Sequence, residues 1–506
     1  MDFSLGLFAE QFARTFTYWY VIVPSILLGL IVGAIPGFSA ANTIIILLPL
    51  TLALDPETGM VFMVALYASS RLGAGIPAIL VNIPGTAGAA ATPLDGYPMT
   101  KQGRGQQALT ISFVCSTLGG LLTTIIALLA MPWLSVVAYK LHSVEMIVVM
   151  IFGISLIASI AARDTLKGLI AGFFGLMIGF IGADVVYETP RGTFGFLELY
   201  DRVPLIPALV GLFAISEAFI VIEGESILTK QGLEAMKKAT AGWKETFEGV
   251  HLALSRWWHI VWTSIIGLVV GIIPGAGAAI AAFVAYQQSR IFSKTPEKYG
   301  TGHIEGLIAP ESANNGVTSG TLIPLLVIGV PGGATAAIMA VVLQYHGVTV
   351  GPDLFLTQPN LAYGPFTTMA VTYGMMLLII LPMARYMSRI TIVPTTFMAP
   401  IVISFTLVGS FVPREYIFDM YLALVFGVIG YVARKTGYHV AAILIGVILG
   451  PLLEQYFQRA LRIAEGDLMV IFSSTLGNIL WVFMVMSLAF PYVMAWWRRR
   501  QKESPG

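Results

Sequence analysis

Apolar stretches of about 20 residues or more, enough for a bilayer core, follow one another along nearly the whole chain without period-two alternation. Such a pattern predicts membrane-crossing helices, because in lipid every backbone group must be paired within its own segment or within a closed barrel. The segments fall near 21–54, 60–100, 108–131, 143–162, 165–183 and 203–222, then near 257–290, 317–346, 364–387, 392–412, 416–434, 438–455 and 467–496. Between the two sets lies the polar interval 223–256, with five Glu and five Lys or Arg, which reads as a cytoplasmic linker. Residues 3–19 read as an amphipathic helix ahead of the first segment.

Four segments are interrupted by Pro-Gly, and the interruptions come in pairs. Gly33-Ala34-Ile35-Pro36-Gly37 returns 238 positions later as Gly271-Ile272-Ile273-Pro274-Gly275. Ile76-Pro77 followed by Asn82-Ile83-Pro84-Gly85 returns 247 positions later as Ile323-Pro324 followed by Gly329-Val330-Pro331-Gly332. Two matches in the same order predict a duplicated unit of roughly 240 residues. The expected parts are a first repeat at 1–222, a second at 257–455, and a final helix with a basic tail at 456–506.

Charge then orients the halves. The loop after the first broken segment holds Asp55 and Glu57, whereas its counterpart holds Arg290, Lys294 and Lys298. The next pair reverses this, with Lys101 and Arg104 in the first copy and Asp353 in the second. Because basic loops favour the cytoplasmic side, the two repeats are expected to be inverted. Inversion requires an odd number of crossings per repeat, so 21–54 and 257–290 are read as re-entrant hairpins tipped by their Ile-Pro-Gly sequences; a single kinked, tilted helix is the alternative. At 1.5 Å per residue an unbroken 21–54 would be roughly 50 Å long, against a hydrocarbon core of about 30 Å. The hairpin reading also puts 223–256, Arg163 with Lys167, Arg385 with Arg389, and Arg434 with Lys435 on the inside. The expected fold is thus an all-α polytopic membrane protein of two inverted-topology repeats, each a Pro-Gly hairpin followed by a broken helix (60–100 and 317–346) and further helices (108–222 and 364–455). The tail Trp496-Trp497-Arg498-Arg499-Arg500-Gln501-Lys502 places the C-terminus in the cytoplasm.

Composition narrows the function classes. With 57% hydrophobic and 11% charged residues the chain is far from the soluble average of about 25% charged. The single Cys115 excludes a disulfide within the chain and a Cys-based metal cluster, and a net charge of +1 gives no basis for a nucleic-acid partner. Asp2 and Glu10 flank a first stretch that does not read as a signal peptide. No Gly-Lys-Ser/Thr phosphate loop, full dinucleotide glycine motif or His-x-x-x-His spacing occurs among the six histidines, so no catalytic class and no cofactor is indicated.

The breaks carry the candidate chemistry. Proline removes a donor and glycine loosens the chain, and such backbone at membrane depth survives only inside protein or lining a wet cavity. Half-helix N-termini can hold carboxylates, and exposed carbonyls can hold Na+. The candidate ion-binding backbone is Pro36-Gly37, Pro84-Gly85, Pro274-Gly275 with Gly277, and Pro331-Gly332, with Thr318 beside it. Candidate substrate ligands are Ser39, Asn42, Arg71, Asn82, Thr86, Asn314, Asn315 and Thr335. Arg71 lies inside an apolar span, where an unpaired cation costs at least about 2.5–3.5 kcal/mol. It could meet a substrate carboxylate, a resident carboxylate, or water. The acidic residues nearest to spans are Glu145, Glu217 and Glu311.

Gly33–Gly37 with Leu47-Leu48-Pro49-Leu50-Thr51, Val81–Thr86, Leu94-Asp95-Gly96-Tyr97-Pro98-Met99 and Ala309-Pro310-Glu311-Ser312-Ala313-Asn314-Asn315 resemble the large membrane subunit of the tripartite tricarboxylate transporter family. The resemblance implies a bacterial inner-membrane secondary transporter for citrate-like or other carboxylates, coupled to Na+ or H+. It also implies two partners, a periplasmic solute-binding protein and a small membrane subunit. The chain departs from the family pattern around Ser69-Ser70-Arg71, where the family places glycines and a tyrosine, which points to retuned substrate choice. An elevator-type motion fits re-entrant tips that gate from either side. The competing reading is a passive organic-anion channel or carrier, which would work without a cation gradient. The inverted arrangement predicts that single cysteines replacing Glu57 and Lys298 react with an impermeant thiol reagent from opposite faces; labelling from one face only would remove it.

Overall fold

The computed structural model describes residues 5–35, 39–161, 165–184, 188–223, 242–387 and 398–486. Among them the chain is nearly all helix, with one short strand pair, Gly182–Ala183 against Pro190–Arg191. Among the described residues, six helices are long and apolar enough to cross a bilayer, or eight if each of two bent pairs counts as one span. Shorter apolar helices at Ser143–Ser155, Leu166–Gly179, Ala334–Tyr345, Val402–Phe411 and Thr475–Met486 fall in five more of the expected segments. The chain is an all-α polytopic membrane protein.

Each Ile-Pro-Gly sequence separates two helices. Trp19–Gly33 precedes the first, followed by Ala40–Ile46 and Leu48–Ala53. Trp257–Ile272 precedes the second, followed by Gly277–Phe292, and these two arms pack on each other. At 1.5 Å per residue each leading arm is about 22–24 Å long, shorter than a bilayer core of about 30 Å. Pro36 and Gly37 themselves, like Arg163, Arg389 and the basic tail, lie outside the described residues.

Two boundaries differ from the sequence reading. The second broken segment begins at Ile304, not 317, so Glu311, Asn314 and Asn315 sit mid-helix in Ile304–Ile328. This helix is buried on all sides from Gly306 to Val327; Glu311, Asn314 and Asn315 Oδ1 find partners within the protein, whereas Asn315 Nδ2 and the Thr318 hydroxyl are buried without one. The polar interval 223–256 contains a helix, Trp243–Leu254, bent by 70° from Trp257–Ile272. Its counterpart is the leading helix Leu5–Thr17, whose Glu10–Thr17 part bends by 68° from Trp19–Gly33. Both bends carry exposed aromatics, Trp19-Tyr20 and Trp257-Trp258, as residues at a membrane–water boundary do.

The two copies repeat their packing atom for atom where backbones touch. Gly29, Gly33 and Gly73 leave room for the carbonyls of Leu66, Ser70 and Leu30, to which an added Cβ would come within 2.8, 2.1 and 2.5 Å. Gly267, Gly271 and Gly320 do the same for Ala313, Val317 and Leu268, at 2.2, 2.9 and 2.6 Å. Small residues let helices approach closely in lipid, where no hydrophobic force drives them together. The leading helices pack on the opposite half: Leu5–Thr17 on Pro359–Met387, and Trp243–Leu254 on Gly105–Ala138. Gly267→Ala is expected to destabilise the protein by about 1–3 kcal/mol through overpacking, read as a lower thermal midpoint in detergent. Gly374→Ala, which meets nothing within 4 Å, is the control and should not lower it.

Candidate substrate site

Both second breaks are built alike. Ahead of Pro84 and of Pro331 the helix ends in a left-handed residue, Asn82 at φ 63° and Gly329 at φ 73°. Next, Ile83 N–H bonds Pro77 O and Val330 N–H bonds Pro324 O, both at 3.3 Å. The chain then turns back so that Gly85 N–H bonds Ala74 O and Gly332 N–H bonds Thr321 O, both at 3.2 Å. Gly275 N–H reaches Gly332 O at 3.1 Å, joining the two breaks of the second copy.

These breaks border a cavity of about 580 Å³. Of the residues singled out from sequence, Ser39, Asn42, Arg71, Pro84, Gly85, Thr86, Gly275, Gly277 and Thr335 line it. Helices Gly277–Phe292 and Ala334–Tyr345 begin at its wall, turning their N-terminal ends, each worth roughly +0.5 charge, towards it. Ser39 caps Ala40–Ile46 by accepting from Asn42 N–H at 3.3 Å. The Thr86 hydroxyl is buried without a hydrogen-bond partner.

Other expected ligands stand elsewhere. Asn82 is exposed and outside the lining, because its role is the left-handed turn. Pro274, Pro331 and Gly332 shape the wall without lining it, and Thr318 and Asn315 lie buried deeper in Ile304–Ile328, where Asn315 Oδ1 accepts from Tyr373 at 3.3 Å. Asn314 lies behind the wall and holds Arg71: Nη1 donates to Asn314 Oδ1 at 3.1 Å, and Nη2 to the Tyr67 hydroxyl at 3.0 Å. The guanidinium also sits 5.1 Å from the Tyr67 ring centre, a cation–π contact. Tyr67 in turn meets Thr321 at 3.1 Å. Gly88 makes this fit possible, since an added Cβ would stand 2.2 Å from Asn314 Oδ1 and 2.8 Å from Arg71 Nη1. Among the described residues no carboxylate comes within ion-pair distance of Arg71.

A family model described as "Tripartite tricarboxylate transporter TctA family" matches residues 20–445. The chain belongs to this family. It is 32% identical over 447 residues to an uncharacterized 52.8 kDa protein in the TAR-I ttuC' 3' region of Agrobacterium vitis, covering 88% of this chain and 87% of that one. A second uncharacterized protein, in the TAR-II ttuC' 3' region of the same organism, is 34% identical over 201 residues, covering 40% of this chain and 83% of its own length. No solved structure matches the chain. TctA-family membership makes it a membrane component of a transport system rather than a member of an enzyme family.

In this TctA-family chain the cavity also takes in residues that the sequence reading passed over or left unassigned. Tyr67, Ser70 and Thr321 come from the helices before the breaks, and Glu217, Arg434 and His439 from the outer helices. Glu217 Oε2 and Arg434 Nη1 pair at 2.5 Å, which cancels both charges. His439, in the connection ahead of Val440–Ile463, has its pKa lowered first by burial and then by the charge of Arg434, both of which disfavour its charged form. Tyr67 carried a usable signal, standing four residues before Arg71 on one helical face. The Glu217–Arg434 pair carried none, being 217 residues apart. Hydrogen bonds to a charged group contribute about 1.5–3 kcal/mol, so Asn314→Ala, which frees one arm of Arg71, should cut uptake roughly 10- to 100-fold without loss of folded protein. Unchanged uptake in vesicles would take Asn314 out of the site.

Proposed function

We propose that this chain is the large membrane-spanning subunit of a binding-protein-dependent secondary transporter that takes up citrate-like tricarboxylates or other organic carboxylates through the cavity between the breaks. One observation carries the reading: the cavity's single uncancelled side-chain charge among the described residues is the Arg71 guanidinium, held only by a neutral amide and a phenol. Two helix N-termini add to the same sign, and the free Thr86 hydroxyl offers a donor. An anion with planar, bidentate acceptor groups suits such a wall, and a carboxylate is the commonest one. The transport system that the family implies supplies a periplasmic solute-binding protein and a small membrane subunit as partners, in the bacterial inner membrane with the C-terminus in the cytoplasm. A Na+ or H+ gradient drives accumulation. The repeats are inverted, and the broken segments carry the site between the two faces by an elevator-type movement.

The test is uptake of a panel of mono-, di- and tricarboxylates into vesicles holding the complete transporter, with and without imposed cation gradients. Arg71→Gln is expected to raise the apparent KM for multivalent anions by at least about tenfold, equivalent to about 1.4 kcal/mol, with Arg71→Lys intermediate because a point charge replaces a fork. A normal KM in Arg71→Gln would return the residue to a structural role.

A further inference from the structure

A second polar centre lies away from the cavity wall, between Ile304–Ile328 and the elements on either side of Pro84-Gly85. Glu311 is fully buried at the middle of Ile304–Ile328, one helical turn before Asn314. Its carboxylate accepts three hydroxyls: Thr92 on Oε1, and Ser112 and Ser116 on Oε2 at 2.8 Å each. Gly75 closes the remaining side; an added Cβ there would lie 3.0 and 3.1 Å from the two carboxylate oxygens. Among the described residues no basic group comes within ion-pair distance.

The neighbouring elements supply no charge to balance it. Gly105–Ala138 presents Cys115, whose thiol bonds Ser112 O. Asp95 of Pro93–Lys101 is taken up by the N–H groups of Gly300, Gly302 and His303 and by the Tyr286 hydroxyl of Gly277–Phe292. His259 of Trp257–Ile272 bonds Ser289, Glu305 pairs with Arg256, Tyr373 of Pro359–Met387 bonds Asn315, and Arg71 is held by Asn314.

We propose that Glu311 is the proton-carrying group that couples uptake to a proton gradient; this rests on the transport reading above. An ionised carboxylate in a dry interior without a counter-charge is costly, and gaining one proton at a carboxylate oxygen removes the charge. A proton suits the cluster better than Na+. The oxygens already touch at hydrogen-bond distance and leave no gap for a metal ion among them. Protonation also has a mechanical consequence. Ionised, Glu311 accepts all three hydroxyls; protonated, its own O–H needs an acceptor, so one hydroxyl must turn round. Ser112 and Ser116 belong to a continuous helix and can fall back on their own helix carbonyls. Thr92 belongs to the connection that also carries Thr86 and Gly88 along the cavity and beside Arg71, so its bond is the one that ties proton occupancy to the substrate site.

Full-length chain with its partner subunits in sodium-free vesicles tests this by two assays, accumulation driven by an imposed pH gradient and substrate counterflow at equal pH. Glu311→Gln should lose accumulation by at least about tenfold, while counterflow stays within about twofold. Infrared difference spectra should show a protonated carboxyl that titrates in the unsubstituted protein and is missing from Glu311→Gln. Retained gradient-driven accumulation in the variant, accumulation that appears only when Na+ is added back and ignores the pH gradient, or the same protonated-carboxyl spectrum with and without Glu311 overturns the proposal. If Glu311→Gln fails to fold, Glu311→Asp takes its place: it should keep gradient-driven accumulation and shift the protonated-carboxyl band, and an unshifted band overturns the proposal. Absence of counterflow for every carboxylate by the unsubstituted chain is a different failure, since it removes the transport reading and the coupling role with it.

Discussion

Backbone freed in the middle of a bilayer must find partners in the protein, because lipid offers none and each orphaned group costs several kcal/mol. The structure meets this demand by folding each second break back on the helix that precedes it. Gly85 N–H bonds the carbonyl of Ala74, and Gly332 N–H that of Thr321. Proline opens the helix and glycine permits the return, since an added Cβ at Gly85 or Gly332 would come within 2.8 or 2.6 Å of the facing Cα. The bond from Gly275 to Gly332 then fastens the turn between Trp257–Ile272 and Gly277–Phe292 to the same place. A cavity is left where these turns cannot fill space, and its wall mixes the turns with apolar side chains and a few polar ones, Arg71 and Thr86 among them.

Duplication explains the frame, and departures from it explain the site. Tyr67 and Asn314, the two groups that hold Arg71, occupy equivalent positions 247 residues apart. The same offset sets Arg71 against Thr318 and Glu311 against Val64. Each charged group therefore has a neutral or apolar counterpart in the other copy. A symmetric pair of arginines would repel across the narrow gap between Pro56–Gly73 and Ile304–Ile328, and a symmetric pair of buried glutamates would double an already costly desolvation. Placing one cation in one copy and one carboxylate in the other lets the backbone packing recur while the chemistry does not.

Sequence exposed the frame well because proline and glycine act locally. The Pro-Gly pairs and the 238 and 247 offsets could be read without coordinates, and so could the polar residues next to them. Legibility failed where tertiary packing decides. Asn314 and Asn315 looked like the polar approach to a span, yet they sit inside a buried helix, where Asn314 holds Arg71 and Asn315 Oδ1 accepts from Tyr373. Asn82 looked like a ligand because amides bind ions and substrates, but an asparagine also tolerates the left-handed turn that the break requires. Helix Trp243–Leu254 was hidden by its own charges, since a surface helix with only one buried stripe reads as a linker when judged by mean polarity.

The choice of partners for Arg71 bears on how a carrier can both bind and release. A resident carboxylate at about 4 Å would attract the guanidinium by about 4 kcal/mol at an effective dielectric of 20, and an incoming anion would have to displace it. An amide and a phenol fix the orientation of the fork through hydrogen bonds while leaving its charge available. Glu217 and Arg434 show the contrast within the same cavity, since their 2.5 Å pair has already spent its charges on each other. The field felt by an anion is then set by one guanidinium and two helix ends. Among the described residues the wall beside Arg71 is thus positive without a resident ion pair, and that asymmetry is the basis of the carboxylate proposal.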